Sequence, residues 1–324
     1  MSFWKGKKVL VTGADGFIGS WVAKTLVEKG ANVVTIVRDI KKENCLDIWK
    51  MRQKITVVNG DLVDIAVVQR TLNEFEIDTV FHLAAQALVG SANKSPLSTF
   101  ESNIKGTWNI LEACRLLGSV KRIVMASSDK AYGQQKKLPY TEDSPLLGYY
   151  PYDASKACAD ILSTSYFKTY GLPIAITRNA NTYGPGDLNY SRIVPDVVSS
   201  VLRGDVPVIR SDGTLQRDYM YIKDAVNAYL ALAENMDRKE IVGQAFNFGA
   251  ETPISVLELF RKIIRMMGKK IEPKVLGQAR HEIDRQYLAC DKARKLLKWK
   301  PEHTLDEGLK ETIEWYTSYL GKSR

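Results

Sequence analysis

The stretch Val9-Leu10-Val11-Thr12-Gly13-Ala14-Asp15-Gly16-Phe17-Ile18-Gly19 decides how this chain folds. A short apolar run ends in a glycine-rich turn, and a helical pattern over residues 19–29 follows. In that order, closely spaced glycines let backbone N–H groups approach a dinucleotide pyrophosphate, while the helix N-terminus stabilises its charge. Working outward, similar runs at 33–37, 55–58, 79–83, 122–126 and 174–177 read as further strands. Their continuous apolar character suits strands covered on both faces, and the intervening helical patterns, such as 97–117, are long enough for crossovers. The fold class expected is α/β, a doubly wound parallel sheet of Rossmann-like type with a smaller C-terminal α/β lobe. Residues 1–180, with parts of 220–250, would form the dinucleotide-binding unit. Residues 181–219 and 251–324 would form the lobe, with a strand at 206–209 and helices at 193–202, 255–267 and 306–316.

The 324 residues suffice for about two domains. With 45% hydrophobic and 26% charged residues, the chain is neither disordered, collagen-like nor a disulfide scaffold. Its 46 basic and 37 acidic residues leave a net +9, and the window 261–300 alone holds 13 of the former and 4 of the latter. That excess surrounds Arg280 and a helix at 291–298, in the lobe expected to receive an anionic diphosphate. Cys45, Cys114, Cys158 and Cys290 are scattered, and His82, His281 and His303 have no ligand spacing, so no metal site is expected. The first strand begins too early for a secretory leader, and no apolar run approaches the roughly 18 residues of a membrane span. A cytoplasmic protein with reduced thiols and no membrane partner is expected.

The second strand ends Ile36-Val37-Arg38-Asp39. Asp39 is placed to hold the ribose hydroxyls of NAD, whereas the Arg38 fork beside it suits the 2′-phosphate of NADP, and both cofactors stay open. In Tyr152-Asp153-Ala154-Ser155-Lys156 the tyrosine and lysine share one helix face. An ammonium near a phenol stabilises the phenolate and lowers its pKa, the property of a proton acceptor for a hydroxyl. Ala126-Ser127-Ser128-Asp129-Lys130 puts polar groups at the carboxyl edge of the sheet, and Ser128 is expected to hydrogen-bond the oxygen that Tyr152 deprotonates.

Together these motifs, with Gly60-Asp61-Leu62, His82-Leu83-Ala84-Ala85-Gln86, Asn103-x-x-Gly106-Thr107 and Arg217-Asp218-Tyr219, resemble the extended short-chain dehydrogenase/reductase family that modifies nucleotide sugars. Ser128-Asp129-Lys130 is similar to the signature of its CDP-glucose 4,6-dehydratases. The resemblance implies cofactor contacts at Gly13, Gly16, Phe17, Ile18, Gly19, Arg38, Asp39, Asp61, Leu62, Leu83, Ala84, Ala85, Gln86, Asn103, Tyr152 and Lys156. It implies catalysis by Ser128, Asp129, Lys130, Tyr152 and Lys156. The substrate, a nucleotide-diphosphate sugar, would be held by Gln86, Ser128, Asn181, Arg192, Ile193, Val194, Arg217, Arg280 and Asp284. Hydride would pass from C4 to the nicotinamide and return to C6 after water leaves. Lys130 is either a base in that elimination or an electrostatic partner of Asp129, since an ammonium is no base.

A UDP-sugar 4-epimerase needs the same tyrosine, lysine and NAD but no elimination pair. A non-catalytic RNA-binding member of the fold would use the +9, yet the chain lacks interleaved basic and aromatic residues, and no nucleic-acid partner is expected. The resemblance further implies a homodimer and a role in polysaccharide biosynthesis.

Overall fold

The computed structural model describes residues 2–39, 44–278 and 282–321. In chain order the elements begin β1 (Lys8–Thr12), α1 (Phe17–Glu28), β2 (Asn32–Val37), α2 (Cys45–Ile48), β3 (Thr56–Asn59) and α3 (Ile65–Glu74). Next come β4 (Thr79–His82), α4 (Val89–Lys94), α5 (Pro96–Phe100), α6 (Gly106–Leu117), β5 (Arg122–Ala126) and α7 (Pro151–Tyr170). They continue with β6 (Ile174–Asn179), β7 (Asn181–Tyr183), α8 (Ile193–Arg203), β8 (Val208–Ile209), β9 (Gln216–Arg217), β10 (Tyr219–Tyr221) and α9 (Ile222–Glu234). The last are β11 (Ala245–Phe248), β12 (Ile254–Ser255), α10 (Val256–Met266), β13 (Lys274–Val275), β14 (Arg285–Gln286), α11 (Asp291–Leu297) and α12 (Leu305–Gly321).

Seven strands form one parallel sheet in the order β3-β2-β1-β4-β5-β6-β11. Successive residues feed opposite faces, as the period of a strand requires. Val9, Val11, Val33, Phe81 and Val124 enter one core, while Leu10, Val34, Val80, Ile123 and Met125 enter a second. α1 packs with α9 and α3 with α6, so the sheet is doubly wound. The chain reverses direction across the sheet between β1 and β4, where ligands bind in such folds. Smaller pairings build the rest: β12-β9-β14, β13 beside β8, and β7 beside β10 with Asn181 opposite Tyr219.

Several expected elements shift. Of the run at 206–209 only Val208–Ile209 forms a strand, and the Pro207 carbonyl accepts from Lys274 N at 3.0 Å at its start. β11, absent from the expected strands, adds to the far edge of β6. The helix read at 97–117 is interrupted by a π-turn at Glu101–Lys105, and Asn103 lies within it. Such turns insert one residue and swing a side chain out of helical register.

One buried network joins these parts. Arg178 on β6 grips Asp160 of α7 with two bonds of 2.7 and 2.9 Å. Its Nη1 also donates to the Tyr132 hydroxyl at 2.9 Å and to the Glu142 carbonyl at 3.0 Å. Tyr132 closes the 3-10 turn Asp129–Tyr132 and donates in turn to Asn247 Oδ1 on β11 at 2.7 Å. Arg178 and Asp160 are 6% and 1% exposed, so removing one partner leaves an uncompensated buried charge. Asp160→Ala is expected to cost about 3–5 kcal/mol, and urea unfolding followed by fluorescence checks it.

Candidate active site

The turn after β1 is shaped to lie against another backbone. Gly13 has φ +72°, and a Cβ there would sit 2.9 Å from the Ala84 backbone after β4. Gly16 caps α1 without a side-chain bond, so the first N–H groups of the helix point outward, as an anion-binding turn requires. The Phe17 ring is in the core and Ile18 packs partly against it, leaving backbone as the exposed part. Thr12 Oγ1 accepts from the Leu83 and Ala84 N–H groups at 3.1 Å and contacts His82 Nδ1 at 2.8 Å. His82 Nε2 lies 3.1 Å from Thr107 Oγ1, whose own proton goes to the Asn103 carbonyl, so the network assigns the imidazole proton to Nε2. Burial pushes His82 down to about 3, and it stays neutral.

Arg38 bonds to Asp39 at 2.8 Å and lies 3.9 Å from Asp61, with Asp15 also acting on its charge. The Asn103 amide, expected on the cofactor, is engaged on both sides. It accepts from Gln86 N at 2.7 Å and donates to Gln86 O at 3.1 Å and to Ser155 Oγ at 2.9 Å. Its effect on a cofactor would pass through the Gln86 loop. The Leu62 side chain is likewise core, and its carbonyl accepts from Asn109.

Tyr152 and Lys156 lie in the first turns of α7, and the lysine reaches the carboxyl end of β5. Its Nζ donates to the Ala126 carbonyl at 2.7 Å, and burial pushes it down to about 8. The expectation that Lys156 lowers the Tyr152 pKa is corrected here: burial dominates and raises the phenol, and the leading opposing charge is the Arg192 guanidinium. Ser128 also departs from expectation. Its hydroxyl donates to Asp129 Oδ1 at 3.0 Å and accepts from Lys130 N at 3.2 Å, so its proton is turned toward the acid.

Asp129 is 2% exposed, and burial raises its carboxyl against the pull of Lys130, Ser128 and Arg217. Around it gather groups that spacing did not reveal. Arg217 pairs with Glu282 at 3.0 Å, and Lys130 Nζ donates to Gln286 Oε1 at 3.3 Å. Asp153 stands in the Tyr-x-x-x-Lys motif and was visible there; Glu282 and Gln286 arrive because β14 pairs with β9, which spacing could not show. Buried atoms without a hydrogen-bond partner concentrate here: Asp129 Oδ2, Asp153 Oδ1, Asp218 Oδ1, Gln286 Nε2, Asn181 Nδ2, both polar atoms of Asn179 and Gln86 Oε1. Unpaired buried polar groups are costly, so this concentration marks a place for a polar ligand.

Other expected substrate residues diverge. Arg192 bonds to Asp187 at 2.9 Å and acts electrostatically on Tyr152, so it belongs to the same site. The Val194 side chain is instead core, and Ile193 packs partly against it. The Asp284 carboxylate accepts from Gln134, while its carbonyl receives Gln216 N and Arg217. Arg280 lies outside the described residues. The basic helix α11 packs against β11 at the sheet edge. There Lys292 bonds Gln244 and covers the Phe246 ring, while Arg294 pairs with Glu251 and Asp291. These contacts hold Lys292 and Arg294 on the protein at the sheet edge. Among the described residues no helix is long and apolar enough to cross a membrane, and no group of metal-ligating side chains occurs.

Comparison with known proteins places these features in context. Residues 10–312 match the family described as GDP-mannose 4,6 dehydratase. The CDP-glucose 4,6-dehydratase of Salmonella typhimurium is 29% identical, over 98% of this chain and 93% of its own length. A trifunctional UDP-glucose 4,6-dehydratase/UDP-4-keto-6-deoxy-D-glucose 3,5-epimerase/UDP-4-keto-L-rhamnose-reductase of Arabidopsis thaliana is 32% identical over 97% of this chain. This chain spans about half, 48%, of that plant protein. Among solved structures, the UDP-glucose 4-epimerase of Thermotoga maritima with UDP-glucose superposes with TM-score 0.88, 29% identity and coverage of 96% and 99%. The dTDP-glucose 4,6-dehydratase of Bacillus anthracis in complex with NAD gives 0.85, 26%, and 97% of both chains.

Asp218 offers a test of the dry site. It accepts from Glu251 N at 3.0 Å, and burial pushes its carboxyl up to about 6 from an ordinary 3.8. A raised acid favours the protonated folded state, so its contribution is full below about pH 4 and is lost as pH rises through about 6. Relative to Asp218→Asn, the wild type is expected to lose up to about 3 kcal/mol across that window and nothing more above it. Denaturant melts of both proteins at several pH values measure the difference.

Proposed function

Because the chain belongs to the GDP-mannose 4,6 dehydratase family, a group of extended short-chain dehydrogenases/reductases that comprises nucleotide-sugar dehydratases and epimerases, we propose that it is a nucleotide-diphosphate-hexose 4,6-dehydratase. CDP-glucose or a similar compound is its substrate. The observation that carries this reading is Asp129, buried with one unpartnered oxygen on the turn that packs against the helix bearing Tyr152 and Lys156. An epimerase has no use for such an acid.

The residues present fit a dinucleotide. The Gly13 cradle and the uncapped start of α1, at Gly16, Phe17, Ile18 and Gly19, would hold the pyrophosphate. Asp39 would take the ribose hydroxyls, Asp61 and Leu62 the adenine side, and Leu83, Ala84, Ala85 and Gln86 the nicotinamide side. Arg38 lies among three carboxylates, Asp39, Asp61 and Asp15, a net negative setting that disfavours a 2′-phosphate and supports NAD over NADP. When bound, NAD supplies acceptance of a hydride from C4 of the hexose and its return at C6.

The chain's own residues do the rest. Tyr152 takes the proton of the 4-hydroxyl, with the Arg192 guanidinium opposing the burial that resists its ionisation and Lys156 held on the Ala126 carbonyl beside it. The resulting 4-keto group acidifies the C5 proton. Asp129, whose carboxyl burial raises toward the protonated form, gives its proton to the departing 6-hydroxyl, and Lys130 stabilises the enolate charge. Asn181, Arg192 and Arg217 hold the nucleotide diphosphate, residues 1–180 carry the cofactor, and the segments 181–219 and 251–324 form the substrate lobe. The likeness to the solved UDP-glucose 4-epimerase favours 4-epimerisation as the second reading.

Incubation with CDP-glucose, dTDP-glucose, GDP-mannose and UDP-sugars separates the two: a product lighter by one water supports dehydration, and an isomer of unchanged mass overturns it. Tyr152→Phe is expected to lower turnover by about 10²–10⁴ while leaving KM within about threefold. We also propose a homodimer through the exposed Leu97, Trp108, Leu116, Ile161 and Tyr170. Ile161→Asp is then expected to elute as a monomer in size-exclusion chromatography.

A further inference from the structure

Asp153 is a buried acid that the steps above leave unused. It follows Tyr152 in the first turn of α7 and is 3% exposed, and its Oδ1 has no hydrogen-bond partner. α7 packs on the turn that carries Asp129, whose Oδ2 is equally buried and unpartnered. Lys130 comes from that same turn, Arg217 from β9, and Glu282 from the segment before β14. Glu282 is already committed to Arg217 at 3.0 Å. Lys130 is held by Gln286 Oε1, and the Nε2 of that amide is a third unpartnered buried atom.

This cluster holds three carboxyls and two cations; Asp129, Asp153 and Arg217 are buried, while Glu282 and Lys130 keep part of their surface. Among these five groups charge balances when one proton rests on Asp129 or Asp153, the two of them without a salt-bridge partner, and Asp218, the residue after Arg217, whose own carboxyl burial raises, also faces Asp129. One acid with a proton and one without is the pair that elimination of water requires, and it frees Lys130 from acting as a base.

Building on the dehydratase reading, we propose that Asp153 is the base that takes the C5 proton, with Asp129 the acid and Lys130 the cation that stabilises the enolate. The C5–H bond breaks, its proton goes to the Asp153 carboxylate, and its electron pair forms the enolate with the 4-keto group. That pair then forms the C5–C6 double bond as the C6–O bond breaks, and the leaving oxygen takes the proton of Asp129 and departs as water. As hydride enters C6, Asp153 returns a proton to C5. Asp129 recovers the proton that Tyr152 removed from the 4-hydroxyl. The sugar has lost one water, its C4 hydrogen is on C6, and every side chain is restored.

The surroundings suit the role. Burial pushes the Asp153 carboxyl up to about 6; Asp129 and Glu282 add to the rise, and Lys130 and Arg217 oppose it. Tyr152 and Tyr140 also face this charge. Asp153 is therefore ionised at neutral pH yet more basic than an exposed carboxylate.

The test uses the NAD-loaded full chain in single turnover, with whichever nucleotide hexose the wild type dehydrates. In the wild type the absorbance of reduced nicotinamide is expected to rise and then fall. Asp153→Asn is expected to rise without falling, to dehydrate at least about 100-fold more slowly, and to lose solvent deuterium incorporation at C5, with nucleotide-sugar affinity by calorimetry unchanged. Lys130→Met is expected to slow the fall but still incorporate deuterium. An Asp153→Asn protein that dehydrates within about threefold of the wild type, or that incorporates deuterium, overturns the assignment. Should that variant fold poorly, the wild-type pH profile decides: the fall is expected to slow about tenfold per unit below about pH 6, and a flat profile down to about pH 5 overturns the proposal. A wild type that dehydrates no nucleotide hexose overturns the dehydratase reading itself, before any variant is compared, and the base assignment falls with it.

Discussion

The guanidinium of Arg178 is the point on which the rest of the structure depends. It belongs to β6, yet it holds α7 through Asp160 and the turn after β5 through Tyr132. Tyr132 passes the connection to Asn247 on β11, and Asn247 extends it to the Tyr140 and Ala289 carbonyls. The two pairs to which we assign the chemistry, Tyr152 with Lys156 and Asp129 with Lys130, ride on separate elements joined by a long loop. A buried, multiply bonded ion pair helps hold two such elements in one geometry, because its planar fork fixes direction as well as distance. A buried pair of this kind adds little net stability, but it is costly to break. Its value here is registration of one helix against one turn.

The site so registered is dry, polar and unfinished. Burial raises the carboxyls of Asp129, Asp153 and Asp218 and the phenol of Tyr152, while it lowers Lys156. Each shift opposes the charged form, and each is a consequence of the same exclusion of water. Folded proteins rarely leave so many buried polar atoms unpartnered in one place. Here they line the carboxyl edge of the sheet, where a charged and hydroxyl-rich ligand would supply the missing partners.

Much of this was legible residue by residue. Gly13 and Gly16 announced a tight turn open to a pyrophosphate, and the structure adds that Gly13 lies against the Ala84 backbone. Tyr152 and Lys156 announced a shared helix face. What the sequence left open concerns what a polar or charged side chain touches inside the protein. Ser128 turns to Asp129, Asn103 to the Gln86 backbone, Asp284 to Gln134, and Arg294 to Glu251. In each case the structure supplies a partner inside the protein that residue type and spacing could not name.

The sequence by itself determined the fold class, the strand order's starting turn and the identity of the chemical groups, because backbone sterics and side-chain periodicity act over a few residues and are written locally. Tertiary structure alone decided which of those groups meet. Glu282 and Gln286 reach Arg217 and Lys130 through the pairing of β14 with β9, and Asp153 joins Asp129 through the packing of a helix on a turn. It also decided their protonation, since the cost of a charge depends on how much water surrounds it, and that is a property of the whole packed chain.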